Sequence, residues 1–363
     1  MSNPFNPAFG KKPEHFFGRE EIIRSITSSV SDNNSPWRTT LVTGLRGSGK
    51  TALLSDIRIK LDSPEIVIIY VVPNEAILDS VLSQLYRQLP KSVSDIIPEF
   101  KGVSLNIGLS VDFERDNKSP NFTESFTYQF MVMIDAYMKQ NKHIIFMVDE
   151  AQKHTESMRV FISIYQDLIM REYSISMIMA ALPSVVSGIL NDDILTFLRR
   201  AKHVELENVE LMIVEHEFKR IFIKADNTLS ENIVTNAAVA TCGYPYLIQL
   251  VGYYLWDDMH SDIDDLLDTV LIKSKAELFR NVHKLIFDDL SPKDREFVFA
   301  MCNDEEYSSV SDIGERLNKK KNHISLYRDR LISAGVVKPY GHGLLCFTYP
   351  YMREYCFTRS RIL

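Results

Sequence analysis

Eight consecutive residues in the first part of the chain have types and spacing that suit phosphate binding. Residues 44–51 read Gly-Leu-Arg-Gly-Ser-Gly-Lys-Thr, which satisfies the pattern G-x-x-x-x-G-K-[ST]. Glycines let the backbone wrap closely around a phosphate, so that successive N–H groups point inward at the anion. The Lys50 ammonium would reach the β- and γ-phosphates, and the Thr51 hydroxyl would coordinate Mg²⁺. The predicted phosphate-binding residues are Gly44, Arg46, Gly47, Ser48, Gly49, Lys50 and Thr51.

The segments on either side of this loop are predicted to be a strand before it and a helix after it. Residues 37–43 are rich in β-branched side chains and lie between a proline and a glycine, which indicates a buried strand. Residues 51–61 carry apolar side chains at the spacing of one helix face. Strand, loop and helix in this order are the setting that phosphate binding requires, which disfavours a glycine-rich turn without a ligand.

A second group of chemically competent residues follows an apolar stretch at 143–148. Asp149 and Glu150 are adjacent carboxylates at the end of this predicted strand. The first is suited to hold Mg²⁺, and the second to orient or deprotonate an attacking water. The alternative is that the pair only caps the next helix. The guanine-binding pattern N-K-x-D is incomplete at residues 141–144, so we predict ATP rather than GTP, and the adjacent glutamate favours hydrolysis.

Composition and charge indicate which class of protein this is. The 363 residues include 45% hydrophobic and 25% charged residues, which is typical of a globular protein with two or three domains. We expect a cytoplasmic protein, since neither a membrane-spanning run nor a signal peptide is evident. The four cysteines and nine histidines lack metal-ligand spacing, so we expect reduced thiols and no zinc. The net charge is −7, yet residues 291–363 contain 12 Lys and Arg against 9 Asp and Glu.

Strands and helices alternate through the first 206 residues. Predicted strands at 37–43, 65–72, 143–150, 174–181 and 202–206 indicate an α/β fold with a doubly wound, parallel five-stranded sheet. Residues 207–290 show only helical periodicity, which indicates an α-helical lid, with a generic helical bundle as the alternative. Within a long insertion, apolar and polar residues alternate with period two at 101–114. We expect a hairpin that covers a sheet edge, with an element that contacts DNA or a partner as the alternative.

These features together resemble one family. The sequence F-F-G-R-E-E at 16–21, D-E-A-Q at 149–152 and G-Y-P-Y at 243–246 make residues 13–260 similar to AAA+ ATPases, more narrowly to the initiator-like and STAND-like group of bacteria and archaea. The resemblance implies ATP or ADP and Mg²⁺ as cofactors and nucleotide-dependent homo-oligomers. It also implies that the adenine lies near Phe17, Gly18 and Arg19.

The same resemblance directs attention to three further positions. The family has a polar sensor residue, usually Asn or Thr, after the fourth strand. Neither is present here, and Ser184 is the candidate for this position. Arg199 or Arg200 would act as an arginine finger on the nucleotide of a neighbouring subunit; the alternative is that both pair with Asp192 and Asp193. The second sensor arginine has no counterpart in G-Y-P-Y, so we expect slow hydrolysis or another way of sensing nucleotide.

The C-terminal residues 291–363 carry the pattern of a winged helix-turn-helix. Helices are predicted at 292–302, 311–317 and 320–333, followed by a hairpin at 336–347. The predicted domains are therefore 1–206, 207–290 and 291–363. A recognition helix offers its N-terminal end to the major groove, and the wing adds further contacts. The candidate DNA-contacting residues are Lys320, Lys321, Asn322, His323, Ser325, Arg328, Lys338 and His342.

Three functions fit these patterns. The first is a nucleotide-switched ATPase that binds duplex DNA through the winged helix. The second is a STAND-like signalling or defence ATPase whose winged helix contacts protein. The third is a nucleotide-binding scaffold with negligible turnover.

Overall fold

The computed structural model describes most of the chain in two compact units. The described residues are 2–8, 16–71, 73–74, 76–89, 122–151, 156–191, 196–225, 229–260 and 265–360. The predicted hairpin at 101–114 and the acids Asp192 and Asp193 lie outside them. The sheet unit comprises Ile22–Thr43 and Leu53–Glu205. The helical unit comprises Met1–Glu21, Gly44–Ala52 and Leu206–Leu363, so the predicted phosphate-binding loop belongs to it.

The sheet unit is built on five strands in the order β2-β3-β4-β1-β5. The strands are β1 (Thr39–Gly44), β2 (Ile66–Val71), β3 (His143–Ala151), β4 (Ile175–Ala181) and β5 (Lys202–Leu206). The pairings of β2 with β3, β3 with β4 and β4 with β1 are all parallel. The predicted α/β architecture with five parallel strands is confirmed.

Apolar side chains explain why these segments form a central sheet. Every residue of β4 is buried, as expected of a strand that is covered on both faces. The surrounding helices are α1 (Glu20–Ser29), α2 (Lys50–Lys60), α3 (Ile77–Gln88), α4 (Phe122–Met138), α5 (Glu156–Met170) and α6 (Pro183–Leu190). Helices α1 and α6 were not predicted, and α6 in particular is a short segment whose apolar residues resemble those of a strand.

The helical unit begins with a bundle of helices that follows β5. Its members are α7 (Leu211–Lys224), α8 (Glu231–Ala240), α9 (Pro245–Asp258), α10 (Leu266–Leu278) and α11 (Lys284–Asp288). A single helix was predicted for 263–287, whereas a π-helical turn, Phe279–His283, separates α10 from α11. Among the described residues, none of the helices combines the length and apolar character that crossing a bilayer requires.

The N-terminal segment completes the core of this bundle. Phe5 is 2% exposed, and its ring contacts the rings of Phe17, Phe218 and Phe222. Gly252 provides the space, because a Cβ at this position would lie 2.3 Å from the Phe5 ring. The first residues therefore form part of the helical unit.

The remaining elements of the helical unit are short helices and a small antiparallel sheet. They are α12 (Pro292–Met301), β6 (Ser308–Ser309), α13 (Val310–Leu317), α14 (Lys321–Ser333), β7 (Val337–Gly341), β8 (Leu344–Phe347) and α15 (Met352–Ser360). The sheet order is β6-β8-β7. The three helices and the hairpin lie within about one residue of their predicted bounds. Strand β6 and helix α15 were not predicted, and β6 is too short to show a periodic pattern.

Candidate nucleotide site

The loop between β1 and α2 has the backbone of an anion-binding nest. Gly47 and Gly49 have φ values of +78° and +91°, in the left-handed region that glycine adopts without a steric cost. Such residues turn successive N–H groups toward one side of the backbone. The Ser48 Oγ atom is buried and has no hydrogen-bond partner within the described part of the chain. The loop therefore contains a polar group that an anionic ligand would satisfy.

Lys50 is held within the same loop. Its Nζ atom donates to the carbonyl oxygens of Gly44 and Leu45 at 2.8 and 2.7 Å, and the residue is buried. A phosphate is a stronger acceptor than a carbonyl for an ammonium donor. Since α2 begins at Lys50, the partial positive charge of its N-terminus also lies beside the loop. Thr51, which offers a hydroxyl ligand, follows in the first turn.

Asp149 and Glu150 lie near the carboxyl end of β3 in the sheet unit. The pairing with β4 changes register between Val148 and Ala151, and Glu150 has a φ of +52°. A bulge of this kind re-aims neighbouring side chains. Asp149 is accordingly buried, whereas Glu150 is exposed. Both residues belong to β3, and α5 begins only at residue 156, so the alternative that they cap this helix is wrong.

Tyr70 fixes the buried carboxylate of this pair. Its hydroxyl donates to Oδ2 of Asp149 at 2.8 Å, and the Glu150 N–H donates to Oδ1 at 2.9 Å. Burial raises the pKa of Tyr70, and the bond to Asp149 raises it further, so the phenol remains a donor at neutral pH. Tyr70 was not among the predicted site residues. The available signal was a hydroxyl-bearing residue near the end of the otherwise apolar strand β2.

The residues expected near the adenine lie in the helical unit. The Phe17 ring is buried against Phe218, and Gly18 has a φ of +65°. The Arg19 guanidinium donates to the carbonyl of Glu207, and burial lowers its pKa despite nearby acids. Phe17 thus packs against α7, and Arg19 bonds to Glu207, which precedes that helix. Their contact with adenine remains a prediction.

Phe16 lies beside the phosphate-binding loop. A Cβ placed on Gly49 would lie 3.7 Å from Cζ of Phe16. The half-buried Phe16 ring therefore lies next to the backbone of Gly49, which has no side chain. Phe16 belongs to the F-F-G-R-E-E sequence but was not among the predicted site residues.

The predicted sensor and arginine finger occupy surface positions in the sheet unit. Ser184 is exposed in the first turn of α6, directly after β4. Arg199 and Arg200 are exposed at the end of a 3₁₀ turn that precedes β5, and Arg199 Nε donates to the carbonyl of Leu190 at 2.8 Å. Arg200 and Arg38 are among the residues that line a cavity of about 260 Å³. The roles of Ser184, Arg199 and Arg200 remain predictions.

The candidate DNA-contacting residues lie on α14 and on the β7–β8 hairpin. Most of them are exposed: Lys320, Lys321, Asn322, His323, Lys338 and His342. Lys320 occupies the N-cap position of α14, so the positive charges lie at the start of that helix. Ser325 and Arg328 are half-buried, and Arg328 pairs with its neighbour Asp329 at 2.8 Å. Arg328 is therefore the least available cation of the set.

Two solved structures are similar to the whole chain. The Walker-type ATPase PABY2304 of Pyrococcus abyssi has 16% identity and a TM-score of 0.64, over 95% of this chain and 97% of that one. Cdc6p from Pyrobaculum aerophilum has 12% identity and a TM-score of 0.50, over 98% and 97%. At these identities the likeness concerns the fold. No curated protein sequence matches the chain.

Two families match parts of the sequence. A domain of unknown function matches residues 280–356. The family described as an ATPase domain predominantly from Archaea matches residues 16–233, more than half of the chain, and includes the phosphate-binding loop, Tyr70 and both carboxylates. The chain therefore belongs to this archaeal-type ATPase family, and it is a P-loop ATPase.

Proposed function

We propose that this ATPase is a nucleotide switch that couples its nucleotide state to the binding of duplex DNA through residues 291–363, which we interpret as a winged helix. The hydrolytic part of the proposal is supported by the two carboxylates of β3. Asp149 is buried and held by two donors, whereas Glu150 is exposed. This difference suits one carboxylate that binds a metal and another that acts on water.

Each residue of the candidate site has its own role in phosphoryl transfer. The N–H groups of the loop bind the phosphates of ATP, and Lys50 neutralises part of their charge. The Thr51 hydroxyl and the Asp149 carboxylate are oxygen donors of the kind that Mg²⁺ prefers, and the bound ion would neutralise further phosphate charge. Glu150 accepts a proton from the attacking water. Arg199 or Arg200 of a second copy stabilises the charge that develops on the γ-phosphate, so ATP promotes association of subunits.

The DNA-binding part is supported by the charges at the start of α14. Lys320 and Lys321 are exposed, and residues 291–363 carry a net positive charge in an acidic chain. Cations at this position can contact backbone phosphates on either side of a groove that the helix enters. Lys338 on β7 extends the same charge to the hairpin.

Fluorescence anisotropy with a labelled duplex tests this proposal. Affinity should depend on whether ADP or a non-hydrolysable ATP analogue is bound, and it should fall steeply with salt because phosphate contacts release counterions. The double substitution Lys320→Ala and Lys321→Ala should weaken binding for all sequences and reduce the salt slope by about 1 to 2. The matched control is Lys284→Ala with Lys293→Ala, which removes two lysines that are already paired with acids. Absent or salt-independent binding would refute the DNA proposal.

A protein partner is the second candidate, and apolar surface favours it. Leu326 is 54% exposed on α14, and the exposed rings of Tyr307 and Tyr340 stack with centroids 5.2 Å apart. Exposed apolar groups of this kind are typical of protein interfaces. A protein that lacks DNA affinity but forms ATP-dependent oligomers in light scattering would support this second function.

A further inference from the structure

Two tyrosines hold the backbone of Arg46 in the phosphate-binding loop, one at its carbonyl and the other at its N–H. The Tyr244 hydroxyl donates to the carbonyl oxygen of Arg46, and the N–H of Arg46 donates to the Tyr349 hydroxyl at 3.3 Å. Both side chains are buried, and their rings meet edge to face with centroids 6.1 Å apart. Tyr244 precedes α9, whereas Tyr349 lies between β8 and α15. The backbone of Arg46 is thus hydrogen-bonded both to the helical bundle, through Tyr244, and to the C-terminal residues 291–363, through Tyr349.

The geometry of the loop depends on this contact. A Cβ placed on Gly47 would lie 2.2 Å from the Tyr244 hydroxyl oxygen, so the tyrosine occupies space that any larger residue would need. The same glycine provides the φ of +78° that turns the following N–H groups. Leu45, on the other side of Arg46, reaches toward Gly335 after α14, where a Cβ would lie 3.5 Å away. The C-terminal residues therefore contact the loop at more than one point.

The segment that presents Tyr349 is itself constrained. Tyr351 has a φ of +59°, which is costly for a bulky side chain. Its hydroxyl donates to the carbonyl of Ala240 at the end of α8, and Lys275 lies 4.2 Å above its ring. Lys275 also pairs with Glu354 of α15 at 2.8 Å. The strained backbone is held in place by these contacts, so Tyr349 is presented to the loop in a fixed orientation.

We propose that Tyr349 is a positioning residue that couples the phosphate-binding loop to the C-terminal residues 291–363, acting with Tyr244 on the backbone of Arg46. The Tyr349 hydroxyl orients the Leu45–Arg46 peptide and the Tyr244 hydroxyl orients the Arg46–Gly47 peptide, and together they set the direction of the N–H groups that follow. Phosphate binding favours one orientation of those groups. By linkage, a contact that helps the loop bind phosphate is strengthened to the same extent when phosphate is bound. Nucleotide binding thus stabilises the docking of the C-terminal residues on the loop.

This inference rests on the proposed nucleotide switch and identifies the residue that transmits its signal. The Tyr349→Phe variant removes one oxygen atom and leaves the ring in place. The lost bond is between neutral groups, and such bonds contribute about 0.5–1.5 kcal/mol, which corresponds to a roughly 2- to 10-fold weaker affinity for nucleotide. Since Tyr349 does not touch the reacting atoms, KM should rise by this factor while kcat stays near the wild-type value.

The matched control is Tyr355→Phe on α15. It also removes a tyrosine hydroxyl that accepts an N–H, but the donor is Nε of Arg359, at 3.2 Å, rather than the backbone of the loop. Affinities for a fluorescent ADP and a fluorescent ATP analogue would be measured for the full chain and both variants. Hydrogen–deuterium exchange of residues 292–360 would be followed with and without nucleotide.

The expected result is that nucleotide slows exchange around residues 344–356 in the wild type and in Tyr355→Phe but not in Tyr349→Phe. The double variant Tyr244→Phe/Tyr349→Phe should lose less affinity than the two single changes predict, because both act on the backbone of the same residue, Arg46. Wild-type affinity together with retained nucleotide protection in Tyr349→Phe would overturn the inference. A nucleotide effect on DNA affinity that survives in Tyr349→Phe would also overturn it and leave the switch intact. If Tyr349→Phe loses the protection by nucleotide, but the DNA affinity of the wild type does not depend on nucleotide, the coupling is upheld and the proposed switch is refuted.

Discussion

The hydrogen bond between Tyr70 and Asp149 provides a sharp test of the metal-binding role of that carboxylate. Tyr70→Phe removes the donor to Oδ2 and leaves the Glu150 N–H as the remaining donor to Oδ1. A hydrogen bond to a charged group contributes about 1.5–3 kcal/mol, and the buried Asp149 has little water to replace it. Loss of an outer-shell partner lowers metal affinity about 10- to 100-fold, which agrees with that energy.

The assay is the free Mg²⁺ concentration that supports half-maximal ATP hydrolysis, measured with ATP saturating. We expect this concentration to rise at least about tenfold in Tyr70→Phe. Tyr173→Phe is the matched control, because its hydroxyl donates to Asp135 at 2.7 Å on the surface of the same unit. An unchanged Mg²⁺ requirement in Tyr70→Phe, with ATP hydrolysis intact, would show that the Asp149 carboxylate does not bind the metal.

Three further predictions concern hydrolysis and stability. Glu150→Gln should lower kcat by about 10²- to 10⁴-fold and preserve nucleotide affinity, and hydrolysis at the wild-type rate would exclude Glu150 as the base. Gly252→Ala should lower the free energy of unfolding by about 1–3 kcal/mol because of its clash with Phe5, whereas Gly188→Ala, with open space around it, should not; chemical denaturation distinguishes them. Burial lowers the pKa of His283 to about 3, so the unfolded chain alone binds this proton as pH falls below about 6.5, and native stability drops by up to about 1.4 kcal/mol per pH unit. His283→Phe should flatten this part of the stability profile, and an unchanged slope would contradict the assignment.

The sequence by itself determined the parts of this protein that depend on local spacing. The glycines at 44, 47 and 49 and the lysine after them predict a phosphate-binding loop, because backbone conformation and helix initiation are decided within a few residues. The apolar segments predict the strands for a similar reason, since buried parallel strands need continuous apolar side chains. The roles predicted for Asp149 and Glu150 rest on their order in the sequence, whereas the bulge that directs the two side chains differently could not be predicted from it.

Only the tertiary structure decided which distant residues act on these motifs. Tyr70 and Asp149 are 79 positions apart, and Arg46 lies 198 positions from Tyr244 and 303 from Tyr349. No periodicity links residues at such separations, because the pairing of strands and the packing of helices bring them together. A tyrosine in an apolar segment looks like core in the sequence, and its hydroxyl acquires a role only when folding supplies the partner.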